Sequence, residues 1–197
     1  MWSKEFELRY WNQTGLDKGS TIYDNYCLAF NIDIKSLKGK KIADIGCGPF
    51  GGVLCHHPNL DVTPIDILAT EYNKLKKSPK SIVEGDLSGE LPFEKESFDI
   101  IFCTNAIDHI PHITHGLSEM ERVLRKDGII YLHVHIRKRK EINKAHIHCI
   151  NLKRMKQMIS KAKLLIQKAE ESSDWVNKED RKALYLELIK NENNPIS

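Results

Sequence analysis

The stretch ADIGCGPFGG, residues 43–52, sets a carboxylate, Asp44, two positions ahead of three glycines, Gly46, Gly48 and Gly51, in G-x-G-x-x-G spacing. A glycine-rich turn that leaves a strand bares backbone N–H groups and lets a ligand approach the main chain. In a dinucleotide site that ligand is a diphosphate, and a carboxylate about 4 Å away opposes it by about 4 kcal/mol at an effective dielectric near 20. A ligand carrying an ammonium and a sulfonium gains from the same charge. A second grouping, NAIDHIPHITH (105–115), puts Asp108 beside His109, the residue types of a general base and its orienting acid. HVH (133–135) and AHIHCIN (145–151) add His133, His135, His146 and His148. Residues two apart on a strand share a face and can ligate a metal, but no Cys or acidic cluster accompanies these pairs, so no metal is expected.

Short apolar runs that alternate with longer amphipathic stretches predict an α/β, Rossmann-like three-layer sandwich around a mostly parallel sheet. Strands are expected at 41–45, 60–66, 81–85, 98–104 and 128–136, with 164–170 and 182–190 closing the sheet after a helix near 151–162. Pro64 is awkward in its strand because it donates nothing to the ladder. ITHGLSEMERVLRKDG reads as a helix with Leu117, Met120, Val123 and Leu124 on one face and Gly128 as its stop. In 182–190, Ala183, Tyr185 and Glu187 alternate with Leu184, Leu186 and Leu188, the pattern of a half-buried strand. About 40 residues before the first strand, rich in aromatics, predict one or two amphipathic helices. The chain then reads as one domain, 1–197, with a helical lid over 1–38 and the core over 39–197.

With these motifs in order, the sequence resembles the class I SAM-dependent methyltransferases, of the type 11 kind. Their first motif, roughly acid-x-G-x-G, stands here as Asp44, Gly46 and Gly48. Asp66 ends the second strand, 22 positions after Asp44, and EGDL carries Asp86 at the end of the third. LPFEKESFDIIFCTNAIDHI and MERVLRKDGIIYLHV match the family's later segments. The resemblance implies S-adenosyl-L-methionine as cofactor and a seven-stranded sheet whose last strand is antiparallel. It further implies that Asp44 lies near the methionyl ammonium, while Gly46, Cys47 and Gly48 let the backbone pass the ligand. Asp66 with Ile67 would hold the ribose, Gly85, Asp86 and Leu87 the adenine, and Asn105 would border the cofactor. Tyr10 and Trp11 belong to a segment that in the family lies over the cofactor.

Methyl transfer is an in-line displacement on an activated carbon, so orientation and water exclusion do most of the work and a base helps a hydroxyl acceptor. Candidates for that chemistry are His109 with Asp108, and His135; acceptor contacts are expected from Tyr10, Trp11, His109, His135, Arg137 and His146, with His112 and His115 on the surface. The acceptor expected is a small molecule, a sugar hydroxyl or another metabolite.

The net charge of +3 is uneven. Arg137 to Lys168 holds eleven Lys or Arg against Glu141, so this stretch carries +10 and the remainder −7. That suits an anionic acceptor, or RNA as a rival acceptor, although no RNA-binding module is recognisable. The literal glycine spacing keeps an NAD-dependent oxidoreductase as a further rival. Five cysteines lack any C-x-x-C pair, which predicts reduced, mostly buried thiols. A charged N-terminus and the lack of a long apolar run predict a cytoplasmic protein without membrane insertion.

Overall fold

The structure, a computed structural model, describes residues 8, 9, 11, 21–142, 146–173 and 181–191. Seven strands form one sheet: β1 (Lys41–Ile45), β2 (Asp61–Asp66), β3 (Val83–Glu84), β4 (Phe98–Thr104), β5 (Leu124–His135), β6 (Leu164–Ser173) and β7 (Lys182–Lys190). Their order is β3-β2-β1-β4-β5-β7-β6. Strands β1 to β5 pair in parallel, and β7 runs antiparallel to both β5 and β6.

Alternation along the strands divides the core. Ala43, Ile45, Ile101, Cys103, Ile130, Leu132 and Val134 face helices α3 (Ile113–Val123) and α4 (Leu152–Lys161). Ile42, Val62, Ile100 and Phe102 face the other way, toward Tyr26, Cys27 and Phe30 of α1 (Thr21–Ala29) and the residue after it, and toward Val53 and Leu54. Burial of this many aliphatic side chains, at about 1.5–3 kcal/mol each, is what holds the three layers together. A third cluster joins Cys47 and Ile82 to Leu68, Ala69 and Tyr72 at the start of α2 (Ala69–Leu75). Cys27, Cys47, Cys55 and Cys103 are buried free thiols, and Cys149 is half-buried.

Several expectations change in detail. Helix α3 ends at Val123, and Leu124 is already extended and paired with Phe98, so Gly128 is no helix stop. Gly128 lies inside β5 beside a register shift, where an added Cβ would stand 2.8 Å from the Asp99 carbonyl. Strand β7 is buried on both faces over Ala183–Leu186 because it is interior to the sheet; the open edge belongs to β6. The third strand shrinks to two residues. Ile65 directs its carbonyl to β1 and Asp66 to β3, so by alternation Pro64 faces β3, and pairing there begins only at Ile65 with Val83. Of the N-terminal aromatics, Phe30 packs on Tyr131 and Tyr185 of the sheet. Tyr10 lies outside the described residues.

Candidate active site

Asp44, Asp66 and the glycine turn meet at the carboxyl ends of β1 and β2, where open α/β sheets bind their ligands. Gly46, Gly48, Gly51 and Gly52 all have positive φ. No helix follows: residues 46–60 form successive turns, with Gly51 N–H donating to Gly48 O, His57 to Leu54 and Leu60 to His57. The loop therefore lacks the helix N-terminus on which a diphosphate would rest.

Gly46 has φ +73°, and a Cβ there would collide with the Ala106 side chain, so the turn after β4 seats directly on the glycine turn. Gly46→Ala is expected to cost about 1–3 kcal/mol, read as a lowered thermal midpoint.

Asp44 is 1% exposed. Its Oδ2 accepts the Val53 N–H at 2.5 Å, while Oδ1 is buried without a hydrogen-bond partner among the described residues. Burial pushes the carboxyl up to about 7, the Val53 amide works against this, and the Asp66 charge adds to it. A Cβ on Gly52 would strike the Asp44 carboxylate, so glycine is required for the chain to fold back over it. Val53 and Gly52 were not singled out from sequence; the doubled glycine at 51–52 was the available signal.

Asp66 is fixed at the strand end by two backbone donors, Gly48 N–H to Oδ2 and Leu68 N–H to Oδ1, both at 2.9 Å. Ile67 is half-buried beside it. Cys47 is buried, and burial followed by the Asp66 and Asp44 charges pushes its thiol far up. Asp86 is half-buried in a turn, its Oδ1 accepting the Ser88 N–H at 2.7 Å. Leu87 is buried in the core, and Gly85 packs against Ile65 and Leu91. Trp11 covers the turn: its ring lies 3.4 Å from where a Gly48 Cβ would stand and meets Phe50 edge-on at 6.3 Å.

A second polar centre lies beyond β4. Asn105 takes φ +53°, donates its N–H to the His133 carbonyl and keeps its Oδ1 buried without a hydrogen-bond partner among the described residues. The short 3-10 turn Ile107–His109 then buries Asp108 completely. Asp108 Oδ2 accepts from His146 Nδ1 at 2.7 Å and from Arg137 Nε at 3.2 Å. Burial would raise this carboxyl, but the His146 hydrogen bond and the charges of His109, His146 and Arg137 outweigh it and hold it far below the usual range. His109 Nε2 stands 3.8 Å from Asp108 Oδ1, too far for a hydrogen bond, and its ring lies 4.5 Å from that of His146.

The histidines thus separate. His146 joins Asp108, whereas His148 Nε2 lies 2.6 Å from the Ile110 carbonyl oxygen. His133 is buried between Tyr26 and Tyr185, and His135 is 2% exposed, its Nδ1 3.5 Å from Arg137 Nη2. Arg137, also buried, is engaged with Asp108; the exposed cations at this end are Lys138, Arg139 and Lys140. His112 is exposed, and His115 Nε2 lies 3.1 Å from the Gly89 carbonyl oxygen. Asp108, His109 and His146 have donor atoms within 4.8 Å of one another. With Arg137 already neutralising Asp108, the trio offers a dication no net negative charge.

The two centres adjoin. Ala106, on Gly46, is two residues from Asp108, and the buried Cys103 thiol is pushed far up by burial and then by the charges of Asp44 and Asp108 together.

A family model described as "Methyltransferase domain" matches residues 43–132. The ubiquinone biosynthesis O-methyltransferase of Glaesserella parasuis serovar 5 (strain SH0165) is 30% identical over 137 residues, 62% of this chain and 57% of that protein. The sterol 24-C-methyltransferase ERG6B of Gibberella zeae is 30% identical over 140 residues, 65% of this chain and 36% of that one. The chain thus spans between a third and three-fifths of these relatives. A chain of the complex between the Haloferax volcanii Trm112 methyltransferase activator and the putative methyltransferase superposes with TM-score 0.74 at 15% identity, covering 98% of this chain and 100% of that one. No helix among the described residues is long and apolar enough to cross a membrane. Over residues 43–132 the chain is thus similar to the methyltransferase-domain family, and its seven-stranded fold is that of the class I SAM-dependent methyltransferases.

Proposed function

We propose that the chain binds S-adenosyl-L-methionine at the carboxyl ends of β1 to β3 and transfers its methyl group to a hydroxyl of a small-molecule acceptor, such as a sugar or another metabolite. The observation that carries this reading is Asp44, a buried carboxylate with one oxygen lacking any hydrogen-bond partner among the described residues. An unpaired buried charge is costly, and a ligand ammonium brought to Oδ1 removes the cost. Asp66, pinned by two backbone amides, presents a fixed carboxylate to ribose hydroxyls. Asp86 and Leu87 border the adenine, and Trp11 with the glycine turn excludes water above the ligand. When bound, the cofactor supplies a methyl carbon already activated by its sulfonium. The protein's own task is then to orient the acceptor and to take up its proton.

A nicotinamide dinucleotide fits poorly, since the Asp44 carboxylate borders the turn and no helix N-terminus faces its diphosphate. RNA as acceptor draws support from the exposed cations Lys153, Arg154, Lys156 and Lys161 of α4. A steep fall of RNA affinity with salt would favour it.

Calorimetric titration with S-adenosylmethionine and its demethylated product is the first test, with saturable binding of both expected. A labelled-methyl screen of hydroxylated metabolites then identifies the acceptor. NADH binding without binding of either adenosyl ligand would overturn the reading.

A further inference from the structure

We propose that His146, held by Asp108, is the group that accepts the proton of the methyl acceptor, with Arg137 as the positioning residue for the pair. The inference rests on the methyl-transfer reading above and adds the base to it. In the sequence His109 is the natural candidate, because it adjoins Asp108; the fold selects a residue 38 positions away instead.

The selection is made by backbone. Arg137 and Ile150 exchange two main-chain hydrogen bonds at 3.0 Å, which brings the segment carrying His146 back across the turn after β4. His148, at 2.6 Å from the Ile110 carbonyl, holds that segment on the same turn. His146 Nδ1 thereby arrives 2.7 Å from Asp108 Oδ2, while His109 reaches no closer than 3.8 Å to Oδ1.

An ionised carboxylate only accepts, so at 2.7 Å Nδ1 of His146 carries the proton, and in the neutral ring the lone pair lies on Nε2. The ring is 20% exposed, open enough to meet an acceptor and closed enough to keep its orientation. Arg137 has two consequences. Its Nε donates a second hydrogen bond to the Oδ2 that His146 meets, which holds that oxygen toward His146. Its charge also offsets that of Asp108 beside His146.

The step balances within the protein and its two substrates. The acceptor oxygen forms a bond to the methyl carbon, the carbon–sulfur bond breaks with its electron pair retained by sulfur, and the hydroxyl proton moves to His146 Nε2. The imidazolium then releases that proton to water.

The test uses the full chain labelled with ¹⁵N-histidine, observed by long-range proton–nitrogen correlation at pH 8 without ligand. The signal lost in His146→Gln assigns the ring. It is expected to show Nδ1 protonated and Nε2 unprotonated, with a tautomer ratio of about tenfold or more, as a hydrogen bond to a charged group provides. Asp108→Asn should bring that ratio close to unity, whereas His109→Gln should leave it unchanged and Arg137→Lys should retain most of it. Calorimetry on His146→Gln should give unaltered S-adenosylmethionine affinity. A predominantly Nε2-protonated His146, or a ratio unmoved by Asp108→Asn, would overturn the assignment. So would a joint shift of His109 and His146 on adding equimolar Zn²⁺, which would make the cluster a metal centre. If Asp108→Asn fails to fold, the wild-type tautomer and the Arg137→Lys ratio still decide. Absence of cofactor binding by the wild type would instead count against the methyl-transfer reading, which the tautomer measurement does not touch.

Discussion

Replacing Asp44 by Asn should abolish most S-adenosylmethionine binding, by a hundredfold or more, equivalent to about 3 kcal/mol for loss of one partner of a buried charge pair. The ligand-free protein should at the same time become more stable at pH 8. The sign follows from the carboxyl being pushed up to about 7, from an ordinary 3.8, by burial first. Between those values the folded state keeps a proton that the unfolded state releases, so stability falls as pH rises through that window. A shift of about three units corresponds to as much as about 4 kcal/mol, all of it missing above pH 7. The Asp44→Asn variant escapes that loss, and its advantage should fade when melts are repeated at pH 4. Cofactor affinity of the wild type should in turn weaken below pH 7, where ammonium binding must first expel a proton. A variant that melts no higher than wild type at pH 8 and still binds the cofactor would refute this account of Asp44.

Arg137→Ala should be the most damaging single change outside the hydrophobic core. It strands the fully buried Asp108 carboxylate with His146 as its remaining hydrogen-bond donor among the described residues. Breaking a buried pair from one side costs about 3–5 kcal/mol. For a chain of this size, each kcal/mol lowers the thermal midpoint by roughly 2–4 °C, so a fall on the order of 10 °C or more is expected. Asp108 is held far below its ordinary value, so its contribution is present above about pH 4 and lost as pH falls toward its folded value. The deficit of Arg137→Ala should therefore shrink in acid. A melting difference that stays constant from about pH 5 down to about pH 2 would show that Arg137 serves packing alone.

Most strands were legible as short apolar runs, and Asp44, Asp66 and Asp86 lie at or just past the ends of the first three. Trp11 was expected over the cofactor, and its ring lies beside the Gly48 turn. Other features depend on partners far away in the chain. Nothing local tells that Leu124 will pair with Phe98 and cut α3 short, since Leu124 continues the apolar face of that helix. The turns in place of a helix after β1 could be read only as a short interval between Gly52 and Asp61. Adjacency favoured His109 over His146 as the partner of Asp108, yet neighbours in a tight turn point apart while a crossing segment delivers its side chain directly. Arg137 sits in a basic run and reads as a surface cation; only its register opposite Ile150 places it inside.

The placement of β7 between β5 and β6 has a bearing on biosynthesis. Both flanking strands leave the ribosome first, and neither can pair with the other, because residues 182–190 occupy the gap. Until those residues emerge, Leu132 and Val134 on one strand and Leu164 on the other belong to bare edges, the kind of surface that chaperones bind and that joins nascent chains into aggregates. Chains truncated at residue 181 should accumulate as inclusion bodies even though every residue that borders the glycine turn has already been made.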